Sequence, residues 1–410
     1  MSDIDLLAPE AIDDPHRYFG ALRDVDPVQW SDRHRAWIVM GHGELNAAFH
    51  DKRLSTERMS GFRERLSGRR WEALGKAIDL LDGWMLFHEP PEHTRLRSPL
   101  ARSFTPKAVG GLGDRVQAIV EGLLEDMATT DGGDLVERFA HPLPAAVIAE
   151  LFGVPVDDRE WLAHWSEKFG VVVFGAVNRP DYEDLARESG AELEDRLQPL
   201  LDRYRTEPED NLLSLLLSRE GEDDGLTTSE ILGACSILLF AGHDTTASLL
   251  GSGVLALLDD PDARAELAEL EDAELDRAVE ELLRFEAPAK AMMRTVAESH
   301  DRDGRAFEAG QTVFMTILAA NRDRRVFDDA DRLVLDRDPN PHLTFGHGHH
   351  FCLGAALARL EVRVAVPELL RRFPDLALAD DPTWKPNISD RSAARIPMRW
   401  RSSGGLSLRS

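Results

Sequence analysis

Apolar and polar positions change period several times along the chain, and each change marks an element. Near the N-terminus, "DPHRYFGALRD" places Pro15 just inside a helix, and "VQWSDRHRAWIVMG" alternates around a polar turn, which predicts two short strands. After about residue 85 the apolar spacing turns helical. "RVQAIVEGLLEDMA" and "AELEDRLQPLLDRYR" repeat apolar residues at three and four positions. "LTTSEILGACSILLF" opens with Thr227 and Glu230 at the spacing of a capping box. "DAELDRAVEELLRFEAP" reads as an amphipathic helix stopped by Pro288. "RAFEAGQTVFMTILAA" returns to strand, and Leu353 to Arg372 forms a further helix. The expectation is one mainly α domain with a minor β portion over residues 1–410, ending in a loose tail from about residue 402.

The stretch Ile231 to Leu258 is long enough to span a bilayer, and its only strongly polar groups are His243 and Asp244. It is rich in Gly, Ser and Thr, its flanks are acidic, and anchoring Arg and Lys are missing from its near sides. That pattern predicts a buried central helix. Composition supports a large core, with 43% of residues hydrophobic and 30% charged. A net charge of −26 repels phosphate backbones, which argues against nucleic acid and anionic membranes as general partners. Two cysteines, Cys235 and Cys352, supply neither a disulfide framework nor the four thiolates of an iron–sulfur cluster. With no signal peptide in "MSDIDLLAPE", the expected location is cytoplasmic.

Several signatures are absent. "GHGELN" and "GLGDRV" fail as dinucleotide loops, and there is no Walker lysine motif or nucleophile elbow. In "HEPPEH" the histidines are five apart, and Pro90 and Pro91 prevent the helix a zinc-protease site needs.

The chemistry concentrates in "FGHGHHFCLG", Phe345 to Gly354. A thiolate ligand needs a positive environment and backbone donors, and Cys352 stands where the helix to Arg372 begins. Glycines 346, 348 and 354 let the backbone curl close to a flat cofactor, and Phe345 could shield the sulfur. Two other readings are open at this point. One is a zinc site of His347, His349, His350 and Cys352, although the ligands are closer in sequence than structural zinc usually has them. The other is a buried cysteine that ligates nothing.

This stretch resembles the haem-binding signature of the cytochrome P-450 family, Phe-x-x-Gly-x-His/Arg-x-Cys-x-Gly, at Phe345, Gly348, His350, Cys352 and Gly354. The resemblance implies the family's fold, with haem b (iron protoporphyrin IX) between a long central helix and the Cys-loop helix and with Cys352 as the axial thiolate on the metal. Three distant segments extend it. In "AGHDTT", an acid and a hydroxyl lie side by side in an apolar helix, which is costly unless they are satisfied or functional. The segment resembles the family's oxygen-activation motif. That implies that Asp244 and Thr245 deliver protons, that Gly242 leaves room for dioxygen, and that Ala241 adjoins the cofactor. In "EELLR", Glu281 and Arg284 share a helix face and resemble the family's structural Glu-x-x-Arg pair. In "PPEHTRLR", His93 and Arg97 share a face and resemble the family's propionate-binding helix, with Pro99 expected to kink it or end it early. Arg294 in "MMRTV" and His350 complete the implied propionate set.

The resemblance runs from roughly Asp14 to Trp400, though "ADRLVLDR" departs from the family's more aromatic meander. It implies a monooxygenase of secondary metabolism that hydroxylates or epoxidises a hydrophobic substrate. Dioxygen and a separate ferredoxin or flavodoxin with its reductase would be its partners. The alternatives are a haem-thiolate protein that uses peroxide or senses gas, and a zinc hydrolase. By analogy "GWMLF" (Gly83 to Phe87), Phe169 to Val177 and "AKAMM" (Ala289 to Met293) face the substrate. Lys290 is expected to be solvent-exposed or to touch a propionate rather than to pair with substrate. Arg102, Arg359 and Arg363 are candidates for a basic docking patch.

Overall fold

The computed structural model describes residues 3–57, 59, 69–155, 160–173, 179–222 and 225–401. The tail from residue 402 and positions 174–177 of one expected substrate-facing segment lie outside the described residues. In chain order, the helices used below are α1 (Arg69–Asp82), α2 (Glu92–Ala101), α3 (Gly113–Met127), α4 (Tyr182–Thr206), α5 (Thr228–Asp259), α6 (Asp272–Phe285) and α7 (Ala355–Arg372). The strands are β1 (Val28–Ser31), β2 (Ala36–Val39), β3 (Leu54–Ser55), β4 (Met292–Val296) and β5 (Thr312–Met315). The chain divides into two compact units. The first is Met1–Ser55, Gly113–Ala140 and Thr245–Ser410; the second is Thr56–Leu112 and His141–Asp244.

In the first unit, β1 and β2 form the hairpin that their alternation predicts, with Trp30 paired to Trp37. The sheet order is β1-β2-β5-β4-β3, and only β2 and β5 run parallel. Trp37 stacks on Phe307 at 4.5 Å, and Val39, Val313, Met315, Ile317 and Leu343 fill the core behind it. The sequence places strand through "TILAA", but the strand stops at Met315 and Ile317–Ala320 form a helical turn. Thr316 closes the sheet, giving both its N–H (2.8 Å) and its hydroxyl (2.6 Å) to the Val39 carbonyl. The chain then turns away with four buried residues.

Helix α6 buries one stripe, Leu275, Ala278, Val279, Leu282 and Leu283, and ends at Phe285, three residues before Pro288. Glu281 and Arg284 lie on that buried side and are fully enclosed. Arg284 grips the Glu281 carboxylate with two bonds of 2.7 Å and donates to the carbonyls of Asn321, Ala330 and Arg332. Glu281 also accepts from the Val334 N–H (2.8 Å), from Asn340 and from Arg337. So "ADRLVLDR" compensates for its missing aromatics with a second arginine, Arg337, set against the same carboxylate.

In the second unit α1 packs along α4, where Gly190 lets the backbones close: a Cβ there would lie 3.0 Å from the Ala77 nitrogen. The N-terminal half of α5 starts as its capping box predicts. Glu230 accepts from the Thr227 N–H at 2.8 Å, and the Glu230 N–H returns a bond to the Thr227 hydroxyl at 3.3 Å. Ile231 to Leu239 are buried on every side, as expected of a helix apolar all round. Gly233 permits backbone contact with Gly83, since a Cβ on Gly233 would sit 2.7 Å from the Gly83 Cα. Beside it, the Trp84 indole N–H donates to the Ser236 hydroxyl at 2.6 Å. No helix among the described residues is long and apolar enough to cross a membrane.

Candidate active site

The first unit carries the cysteine loop. Gly346 (φ 67°) and Gly348 (φ 74°) take left-handed conformations, and a Cβ on Gly346 would press on the Phe49 ring at 3.3 Å. A single 3-10 turn, Gly348–His350, then brings the chain to Cys352, whose N–H donates to the Phe345 carbonyl at 2.9 Å. Gly354 is the N-cap of α7, so Cys352 sits within a turn of a helix N-terminus, where partial positive charge favours a thiolate. The two cysteines differ sharply. Cys235 is fully buried in α5, and desolvation pushes its thiol up to about 12. Cys352 is exposed, and neither is in a disulfide. Phe345 is buried beneath the guanidinium of Arg359, 4.4 Å from the ring centroid.

Arg359 and Arg363 do not form a basic patch. Arg359 is bound to Glu280, with an Nη2–Oε2 distance of 2.8 Å, and Arg363 to Asp276 at 2.8 Å. Burial alone would raise the Glu280 carboxyl, but hydrogen bonds from Arg359 and His342 outweigh it and hold the group at about 2. Arg102 is exposed at the end of α2, in the second unit. Lys290, expected near solvent or a propionate, is instead 3% exposed, with Nζ 3.4 Å from the Leu6 carbonyl. It lines a cavity of about 10 Å³ with Trp384, Asp390 and Arg391, and burial lowers its ammonium to about 8. Arg294 lies buried on β4 and donates to the Met293 carbonyl at 3.0 Å.

The second unit carries His93, Arg97 and α5 as far as Asp244, and Thr245 is the first residue of the first unit's last segment. His93 is buried and Arg97 half-buried on one face of α2. The helix runs through Pro99 to Ala101 and stops two residues later than the proline, a shorter interruption than the sequence suggests. On α5 the burial pattern breaks: after the enclosed run 231–239, Ala241 is exposed and Gly242, Asp244 and Thr245 are half-buried. A helix otherwise enclosed thus opens a window at the acid–hydroxyl pair. A Cβ on Gly242 would meet Ile148 Cδ1 at 2.6 Å, so its smallness also accommodates a neighbouring helix. Beside the window, Trp84 stacks between Phe87 (5.4 Å) and Phe240 (5.3 Å), with Phe169 at its edge.

Two residues that matter to this geometry were not singled out in the sequence. Arg337 ends the "ADRLVLDR" stretch, but no spacing tied it to Glu281. His243 bonds the His141 carbonyl through Nε2 at 3.1 Å, and its Nδ1 lies 3.3 Å from Asp244 Oδ1.

Haem needs a thiolate, a flat apolar approach and donors for two carboxylates, and residue types of each kind are present. The first unit offers an exposed sulfur beside a helix N-terminus and a buried guanidinium at Arg294. The second offers an apolar window on α5 and the donors His93 and Arg97. Buried cations of this kind call for an anion or well-placed acceptors.

The family description "Cytochrome P450" matches residues 181–395. The cytochrome P450 monooxygenase PikC of Streptomyces venezuelae is 40% identical over 409 residues, covering 97% of this chain and 94% of that protein. The vitamin D(3) 25-hydroxylase of Pseudonocardia autotrophica is 38% identical over 401 residues, 96% of each chain. Among solved structures, the bacillaene polyketide synthase cytochrome P450 PksS of Bacillus subtilis 168 superposes with a TM-score of 0.85 at 31% identity, covering 97% of this chain and 100% of that one.

Proposed function

The chain belongs to the cytochrome P450 family, and on that footing we propose that Cys352 supplies the axial thiolate and that Asp244 and Thr245 hand on the protons of the reaction. The protein has the P450 fold and is a haem-thiolate monooxygenase. It inserts one atom of dioxygen into a hydrophobic organic substrate, with electrons from a separate redox partner. Haem b, when bound, supplies the iron at which the O–O bond is broken, a step that thiolate electron donation favours.

The observation that carries the assignment is the contrast between the cysteines, an exposed sulfur at a helix N-terminus against one sealed in a core. Cys352 would hold the iron, Phe345 would back the loop that carries the sulfur, and Gly354 would leave the approach to α7 open. His93, Arg97, Arg294 and His350 would receive the two propionates through charge-assisted hydrogen bonds. Ala241 presents only a methyl group at the window. Asp244 and Thr245 stand next to one another there, a carboxyl and a hydroxyl able to pass a proton from solvent inward. The test is the ferrous carbon monoxide spectrum. Wild type gives the red-shifted Soret band of a thiolate ligand, and Cys352→His loses it while still binding haem. An unshifted band in wild type overturns the assignment.

For the substrate we propose a rigid polyketide or sterol-like molecule. The sterol-type and polyketide names among the relatives support a rigid apolar ligand. Spectral titration with a macrolactone, a sterol and a long-chain fatty acid tests this; tightest binding of the fatty acid counts against it. For the electron donor we propose a ferredoxin or flavodoxin with its reductase, tested by turnover with each.

A further inference from the structure

We propose that His243 is a positioning residue that shares a proton with Asp244 and restores it after Asp244 has given its own away; this rests on Asp244 being the proton donor. The argument begins at Nε2. Its partner, 3.1 Å away, is the His141 carbonyl, which can only accept, so Nε2 carries a proton. The ring is 2% exposed and set edge-on against the His141 imidazole, with centroids 4.9 Å apart and planes at 77°, so the carbonyl and the ring together fix its orientation.

That leaves Nδ1. It is buried and no described residue meets it in hydrogen-bond geometry, while Oδ1 of Asp244 stands 3.3 Å away, near enough for a small rotation of the carboxylate to align the two. A bare, buried nitrogen lone pair facing a carboxylate is repulsive. One proton between them turns the contact into a charge-assisted hydrogen bond. The pair therefore holds one proton beyond the one on Nε2, on Nδ1 or on Oδ1. Neighbours one apart on a helix do not normally face each other, so the contact depends on the grip of the His141 carbonyl.

The proton count closes. Asp244 passes its proton toward the Thr245 hydroxyl, Nδ1–H moves to the emptied carboxylate, and solvent at the Asp244 side chain, 22% exposed, returns a proton to the pair. His243 touches neither substrate nor cofactor in this scheme and acts through Asp244.

The test uses the haem-loaded enzyme with ¹⁵N-labelled histidine in its diamagnetic ferrous carbon monoxide form, with His243 assigned by its loss in His243→Gln. Nδ1 should give the shift of a nitrogen that holds or shares a proton, moving to that of a bare nitrogen in Asp244→Asn. A bare Nδ1 in wild type, unmoved in Asp244→Asn, overturns the proposal. In turnover, His243→Phe and His243→Gln should each lower product per electron consumed by about ten-fold and release the difference as peroxide. Gln retains a donor for the His141 carbonyl, so a loss in both variants is not a folding defect, and an intact carbon monoxide spectrum checks this. If Asp244→Asn uncouples and His243→Gln does not, the role of His243 falls while that of Asp244 stands. If Asp244→Asn is also fully coupled, the underlying reading falls with it.

Discussion

Glu281 on α6 and Asp244 on α5 are both carboxylates on helices of buried character, yet the chain treats them in opposite ways. Glu281 is fully enclosed and accepts hydrogen bonds from Arg284, Arg337, Val334 and Asn340. Asp244 stands where α5 loses its cover, half-buried, with an imidazole nitrogen as a close neighbour. A carboxylate whose oxygens are taken up by four donor residues ties together the segments that supply them. A carboxylate only half-buried keeps contact with solvent, which the proton role proposed for Asp244 requires.

The strongest way to break this contrast is to disturb Glu281's partner. Arg284→Ala leaves a buried carboxylate short of its main partner and should cost about 3–5 kcal/mol. The expected readout in thermal or urea unfolding is a large drop, or failure to accumulate haem-loaded protein; a loss under about 1 kcal/mol would mean that the network is ornamental. Asp244→Asn should do the reverse. Turnover falls about 10- to 100-fold, peroxide release rises, and the unfolding midpoint stays within about 0.5 kcal/mol of wild type.

Trp84→Phe probes a satisfied polar contact on α5 itself. It removes the bond to Ser236 and should cost about 1 kcal/mol of stability without altering coupling. The smallest effect is expected at Glu280, part-exposed beside the cysteine loop. Its carboxyl sits at about 2 in the fold against an ordinary 4.5, so its contribution is complete above about pH 4.5 and is lost as pH falls toward 2. Arg359→Gln should flatten that acid limb and cost under about 1 kcal/mol at neutral pH, as measured by unfolding across pH.

Local rules read well from sequence where one segment decides the outcome. The Thr227–Glu230 box, the β1–β2 hairpin and the glycine-bent cysteine loop each depend on neighbours in the chain, and each appears as expected. Contacts between distant segments were not legible. Nothing in "LDRDP" says that Arg337 meets Glu281, fifty-six positions earlier. Lys290 looks like a surface lysine until the N-terminal segment closes over it through Leu6. The turn at Ile317–Ala320 is apolar and β-like in pattern, and only the closing bonds of Thr316 explain why the strand stops. His243 reads as a spacer between Gly242 and Asp244, because its partner, His141, comes from another helix.

The difference between the two thiols also makes the protein its own gauge of loading. A mild alkylating reagent meets one reactive sulfur, at 352, while the other, sealed and held in its neutral form, stays unmodified in folded material. Metal at the first sulfur should block the reagent. The fraction of chains gaining a single adduct by mass would then count, molecule by molecule, those made without cofactor, and a second adduct would flag chains that have come apart.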